Sequence, residues 1–298
     1  ILATLDHPGI TRLLDAGVDE HRRPYLVLEL VEGEPIDTYC RRHGLDLRAR
    51  LMLFAQAAGA VAYAHRRQVL HRDLKPANVL VATEGAVRLL DFGIAKLLDD
   101  GWSVETDLTR QSGRPLTPEY ASPEQLRGDP AGIASDVYSL GVMLYELLCA
   151  SRPHRREGRS PAAFEEAVVS SVPLRPSEVA AEPAMRQALC GDLDAIVMKA
   201  LRKPMHERYR GVGSLLDDVQ RFLDRRPVCA VDEESACVKG RGLLPARDVV
   251  LVGRRADRAA VSDLLRSRRL VGIVGSGGVG KTELACAVAS GIGDEFVD

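Results

Sequence analysis

The run His71-Arg-Asp-Leu-Lys-Pro-Ala-Asn78, followed further on by Asp91-Phe-Gly93, narrows what this chain can be more than any other feature. Taken singly, its Asp, Lys and Asn are ordinary solvated loop residues. Taken together they form a set with one chemical use. Asp73 is a carboxylate able to orient a hydroxyl and accept its proton, and Lys75 is an ammonium two residues away that suits a phosphate. Asn78 and Asp91 supply the oxygen ligands that a hard divalent cation takes.

Composition bounds the setting of that chemistry. At 298 residues and 32.4 kDa the chain has room for two ordinary domains. Hydrophobic residues at 46 % and charged residues at 28 % are globular usage. Forty Lys and Arg balance 42 Asp and Glu, so there is no basic excess to mark nucleic acid as the main ligand. No run of about 18 apolar residues encodes a membrane helix. The six cysteines, Cys40, Cys149, Cys190, Cys229, Cys237 and Cys286, show neither C-x-x-C nor metal spacing and read as reduced thiols of a cytoplasmic protein.

Periodicity gives a coarse map. Pro24 to Leu30 reads as a strand with Arg12 to Val18 as its hairpin partner, and Leu47 to Arg67 as a long helix. Val69-Leu70, Asn78 to Val81 and Ala86 to Leu90 read as short strands. Val137, Leu140, Gly141, Leu144 and Leu148 follow a helical spacing with Ser135 as its expected cap, and further helices are expected at Asp192 to Leu201 and Leu215 to Leu223. Periodicity stops between about Arg225 and Arg247, where a domain boundary is expected. Beyond it come a helix over Arg254 to Arg266, a strand at Leu270 to Val274, a glycine-rich turn and another helix.

The His71–Asn78 run and the Asp91-Phe-Gly93 triplet resemble the catalytic and metal-binding loops of protein kinases. The resemblance covers about Ile1 to Ala230 and implies an α+β protein-kinase fold, with a mostly helical large lobe and a remnant of the small lobe. It implies Asp73 as the catalytic base, Lys75 against the transferred phosphate, and Asn78 and Asp91 on Mg2+, with ATP as phosphate donor. Thr117-Pro-Glu-Tyr-Ala-Ser-Pro-Glu124 resembles the end of an activation segment, with Ser122 where an Ala is usual. By that resemblance Thr117 bridges Asp73 and Lys75, Glu124 pairs with Arg208, and Asp136 holds the backbone of His71 and Arg72. Phe92 and Gly93 support the metal loop, Phe92 joining an apolar stack with Leu2, Leu13 and His71. Leu28-Glu-Leu-Val31 resembles the hinge, so that Leu28 gates the adenine site, the Glu29 carbonyl and Val31 amide pair with adenine, and Leu80 floors it. Lys75 and Pro76 point to serine/threonine specificity, and Arg72 to control by activation-segment phosphorylation, with Thr106, Thr109 and Ser112 as acceptors, autophosphorylation included. Gly191 to Leu201 and Arg226-Pro-Val228 resemble a bacterial subgroup of these kinases.

No glycine-rich phosphate loop, strand lysine or helix glutamate precedes Leu5-Asp-His-Pro-Gly-Ile10, so the chain is expected to begin inside the kinase domain. At the far end Gly275-Ser-Gly-Gly-Val-Gly280-Lys281-Thr282 fits the phosphate-loop pattern, and Leu251-Val-Gly-Arg-Arg255 resembles the entry to signalling ATPases. In that pattern the backbone cradles phosphates, Lys281 reaches the terminal ones and Thr282 ligates magnesium. The expected organisation is therefore a kinase domain at 1–230, a linker at 231–247 and the start of an α/β P-loop NTPase domain at 248–298. The expected partners are ATP and proteins offering Ser or Thr. Two rival readings are a kinase-like scaffold without catalysis and a switch driven by the ATPase.

Overall fold

The computed structural model describes residues 5–20, 24–90, 117–156, 158, 160–230, 255–267, 284–285 and 288. The chain divides into two compact units, Ile1–Val231 and Asp232–Asp298.

In the first unit, β1 (Leu13–Val18) and β2 (Pro24–Leu28) form an antiparallel pair, with Leu13 opposite Leu28. A second sheet runs β3 (Gly33–Pro35), β4 (Val79–Ala82), β5 (Val87–Leu89), all antiparallel. The segment before β1 ties the two together: Ile10 bridges Leu89, and Thr11 N donates to the Leu89 carbonyl at 3.0 Å. Short strands suffice here because Val79, Val81, Val87 and Leu89 bury one apolar face against the helices.

Between β3 and β4 in the chain come α1 (Ile36–Arg42) and α2 (Leu47–Arg66). Asp46 starts α2 by accepting from Ala49 N at 2.7 Å, which satisfies one of the first turn's orphan donors. Gln68, at φ 62°, ends it, and Val69 N closes back on the Ala64 carbonyl. Val69-Leu70, expected as a strand, is irregular chain, because His71 and Arg72 give their amides to a side chain instead of a neighbouring strand.

The remaining helices are α3 (Pro123–Arg127), α4 (Ile133–Cys149), α5 (Pro161–Ser170), α6 (Pro176–Val179), α7 (Pro183–Leu189), α8 (Asp192–Ala200) and α9 (Val212–Leu223). Helix α4 is the core, buried almost all round from Ser135 to Tyr145. It packs against α2, α8 and α9, which bring Leu51, Phe54, Leu193, Ile196 and Leu215 to it. Each such side chain contributes about 1.5–3 kcal/mol by leaving water. Helix α4 begins two residues before the expected cap. Ser135 lies in its first turn, where Oγ accepts from Gly132 N at 3.1 Å and donates to Glu124. Gly141 lets α8 approach: a Cβ there would stand 2.8 Å from the Ala200 Cβ.

In the second unit the described residues form α10 (Arg255–Ser267), one residue from the expected helix at each end, and helical positions at 284, 285 and 288, with Leu284 and Val288 buried. Gly275, Gly280, Lys281, Thr282, the strand at Leu270 to Val274 and the linker at 231–247 lie outside the described residues.

Candidate active site

The polar loop leaves Val69 and returns to the sheet at β4 through a 3-10 turn, Pro76–Asn78. Pro76 suits the start of that turn, where its missing N–H leaves no donor unsatisfied. Along the loop Lys75 Nζ lies 2.7 Å from Asp73 Oδ2 and donates to Thr117 Oγ1 at 2.9 Å. The ammonium, rather than the Thr117 hydroxyl, is therefore the centre of this group. Asn78 Nδ2 donates to the Asp73 carbonyl at 2.8 Å and to Asp73 Oδ2 at 3.2 Å. Its two amide bonds spent on Asp73 leave Oδ1 as the group able to face a cation. An amide oxygen beside a carboxylate is a donor set that Mg2+ accepts. Asp91, Phe92 and Gly93 lie outside the described residues, as do Leu2, Thr106, Thr109 and Ser112. Among the described residues no cluster of three or more His, Cys, Asp or Glu is placed to hold a metal.

Beneath the loop, Asp136 takes three donors. His71 N and His65 Nε2 reach Oδ2 at 2.8 and 2.7 Å, and Arg72 N reaches Oδ1 at 2.8 Å. Asp136 stands in the first turn of α4, where the helix dipole favours a carboxylate. Exposure separates the two aspartates: the Asp73 side chain is 32 % exposed and that of Asp136 1 %. One can meet a substrate; the other can only brace.

Arg72 carries the strain of this arrangement, at φ 65° in the left-handed region, which costs a non-glycine residue about 1 kcal/mol or more. It is clamped on both sides, its amide by Asp136 and its carbonyl by Gln125 Nε2 at 2.9 Å. Gln125 is set by Ser122, the cap of α3: Ser122 N and Oγ both donate to Gln125 Oε1 at 3.0 Å. Serine in place of the usual alanine thus has a job, building a capping box that aims Gln125 at the loop. His71 is fully buried with Nε2 2.9 Å from the Leu90 carbonyl. Burial holds its pKa below the usual histidine value, against the pull of Asp136, so the ring is neutral and Nε2–H is the donor.

Further out, Glu124 and Arg208 meet in a two-pronged pair at 2.7 and 2.8 Å, with side chains 3 % and 0 % exposed. Arg208 spends its other donors on the carbonyls of Arg202, Lys203 and Ala134. Burial alone would raise the Glu124 pKa, but Arg208 and Ser135 outweigh it and hold the carboxyl below its ordinary value.

The expected hinge residues lie on the hairpin side. Leu28 ends β2, and Glu29 N donates to the Arg12 carbonyl at 2.9 Å while its side chain turns back to Arg12 N. Val31 is half-buried. Leu80 stands on β4, in the other sheet, also half-buried. Sequence reasoning missed Gln125 and His65. A signal existed for the first, the S-x-x-Q capping pattern at Ser122. None existed for His65, whose partner is 71 residues away.

A mostly helical body carrying a braced Asp–Lys–Asn loop beside two small sheets is a protein kinase fold. The chain belongs to the protein kinase family: the protein kinase domain model matches residues 1–213. It is 35 % identical to the serine/threonine-protein kinase PknB of Mycobacterium tuberculosis (strain H37Rv) over 229 residues, 76 % of this chain and 35 % of that protein. PknB of Mycobacterium leprae (strain TN) is 34 % identical over 248 residues, 80 % of this chain and 38 % of the relative. A probable serine/threonine-protein kinase of Streptomyces coelicolor, SCO3848, is 35 % identical over 242 residues, 80 % and 34 % respectively. The chain spans about a third of the length of these relatives. Among the described residues no helix is long and apolar enough to cross a membrane.

Proposed function

We propose that this chain carries the catalytic part of a serine/threonine protein kinase that transfers the γ-phosphate of ATP to protein hydroxyls. The observation that carries the reading is the Lys75 ammonium held between Asp73 Oδ2 and Thr117 Oγ1. In this reading Asp73 orients the acceptor hydroxyl and takes its proton as the substrate oxygen bonds to the γ-phosphorus and the bond to the ADP oxygen breaks. Lys75 sits against the phosphoryl oxygens and offsets their charge. Asn78 Oδ1 and Asp91 hold the Mg2+ that neutralises the phosphates when bound. Asp136 and Gln125 keep Arg72, and so Asp73, in register. The Glu29 carbonyl and the Val31 amide, which make no hydrogen bond among the described residues, pair with the adenine edge between Leu28 and Leu80.

The proposed organisation is a kinase domain at 1–230, a linker at 231–247 and the start of a P-loop NTPase domain at 248–298, where Gly275, Gly280, Lys281 and Thr282 bind a nucleotide. Cys40, Cys149 and Cys229 are free thiols, which supports a cytoplasmic setting.

The test is incubation with Mg-ATP labelled at the γ-phosphate and an acceptor protein, followed by identification of the labelled amino acid. Label on Ser or Thr, lost in Asp73→Asn, is the expected result. Turnover of ATP that survives Asp73→Asn and is lost in Lys281→Ala would favour the switch reading instead.

A further inference from the structure

Beside Thr117 lies a charged cluster that the proposed transfer step does not use. Arg156 Nη1 donates to Glu119 Oε1 at 3.0 Å. Arg152 reaches the same carboxylate at 3.9 Å and Glu146 at 3.6 Å, and its guanidinium stands 5.8 Å from the Tyr120 ring. The Tyr120 hydroxyl donates to Glu146 Oε2. The cluster's position relative to the acceptor site follows from the chain. Glu119 is two residues from Thr117, hence within about 7 Å along the backbone of a group bonded to Lys75. A substrate residue two or three positions from the acceptor spans a similar distance.

Formally the charges cancel, two arginines against two glutamates. Their exposure does not. The carboxylate side chains of Glu119 and Glu146 are 15 % and 14 % exposed, whereas Arg152 and Arg156 are 39 % and 49 % exposed. The carboxylates lie underneath and the guanidinium groups form the outer surface. Arg152 and Arg156 hold the Glu119 carboxyl below its ordinary value, although burial alone would raise it, so it stays an anion under its cover.

Building on the kinase reading, we infer that Arg152 and Arg156 are specificity-determining residues, which cap Glu119 and Glu146 and make the enzyme select acidic peptides over basic ones. A carboxylate arriving next to the acceptor meets exposed guanidinium donors in a geometry suited to paired hydrogen bonds. A lysine or arginine arriving there meets like charge, and the two glutamates that could receive it are already occupied. Arg152 and Arg156 need not touch the reacting atoms; they sort substrates by what flanks the hydroxyl.

The experiment uses the full chain and a set of peptides identical except for acidic, neutral or basic residues flanking one Ser. Half-exposed ion pairs are individually weak, so kcat/KM for the acidic peptide should exceed that for the basic one by roughly five- to tenfold, and the ratio should shrink as salt is added. Arg152→Ala with Arg156→Ala uncovers the glutamates and should invert the ratio. Glu119→Gln frees Arg156 and should widen it. Should the double variant melt early, Arg156→Ala alone, at the more exposed position, should move the ratio in the same direction. Equal rates for all peptides, or a ratio unmoved by these variants, overturns the inference and leaves the kinase reading intact. Peptide binding to Asp73→Asn, followed by fluorescence anisotropy, separates the two claims. Charge-selective binding with no transfer to any peptide by the unsubstituted chain would overturn the kinase reading alone.

Discussion

Arg72 is where this chain spends conformational energy, and the two residues that meet that cost come from far along the sequence. Asp136 is 64 positions away and Gln125 is 53. Replacing Asp136 by Asn keeps the shape but turns an amide N–H2 toward one of the donors that now point at a carboxylate. The variant should lose about 1–3 kcal/mol in a urea melt, because a buried N–H is left facing a donor. Transfer activity should fall with it, since Asp73 follows Arg72. Gln125→Ala should also cost about 1–3 kcal/mol in that melt and slow transfer, as the Arg72 carbonyl and the buried Ser122 N and Oγ all lose their partner. Asp73, Lys75 and Asn78 were legible in the sequence because one short loop carries all three with their spacing intact. His65 and Gln125 were not, since long-range partners leave no local pattern.

Single helix contacts decide stability at the level of elements. Gly141 on α4 faces Ala200 on α8, and neither backbone nor a methyl group can move aside as a long side chain would. Gly141→Ala should therefore cost about 1–3 kcal/mol in the same melt, despite alanine's better helix propensity. Arg208→Lys should cost about 3–5 kcal/mol, since one ammonium cannot satisfy both Glu124 oxygens and three carbonyls buried around it. The exposed Arg41–Asp37 pair on α1, with Arg41 59 % exposed, is the contrast: Arg41→Ala should cost under about 1 kcal/mol. Helices α2, α4, α8 and α9 show apolar spacing that marks them in the sequence. Helices α3, α5, α6 and α7 do not: each opens on a proline and otherwise buries too few apolar side chains to show a stripe, only Phe164 and Val168 in α5 and Leu189 in α7.

For the molecule as a whole, acid should act in two stages. His71 and His7 both have pKa values held below the usual 6.5, chiefly by burial, so the unfolded chain binds protons there that the folded chain refuses. Stability is complete above that value and declines as pH falls below it. Glu124, held below its ordinary 4.5, adds a second loss as pH falls further, through its folded value. A melting-temperature series from pH 8 to about pH 2 should show both slopes, the second, below 4.5, flattened in Arg208→Lys. The boundary region near Arg225 to Arg247 shows in the sequence as lost periodicity, and the contact pattern divides at Val231. The central claim is that Asp73 serves the chemical step and not the binding of nucleotide. Its most direct test is a single-turnover transfer rate, with Mg-ATP affinity measured on the same preparations, for the unsubstituted chain and Asp73→Asn. The account predicts a rate lower by roughly 10²–10⁴-fold with affinity changed only a few-fold, as removal of a general base requires. An unchanged rate, or a loss of rate matched by an equal loss of affinity, would contradict it.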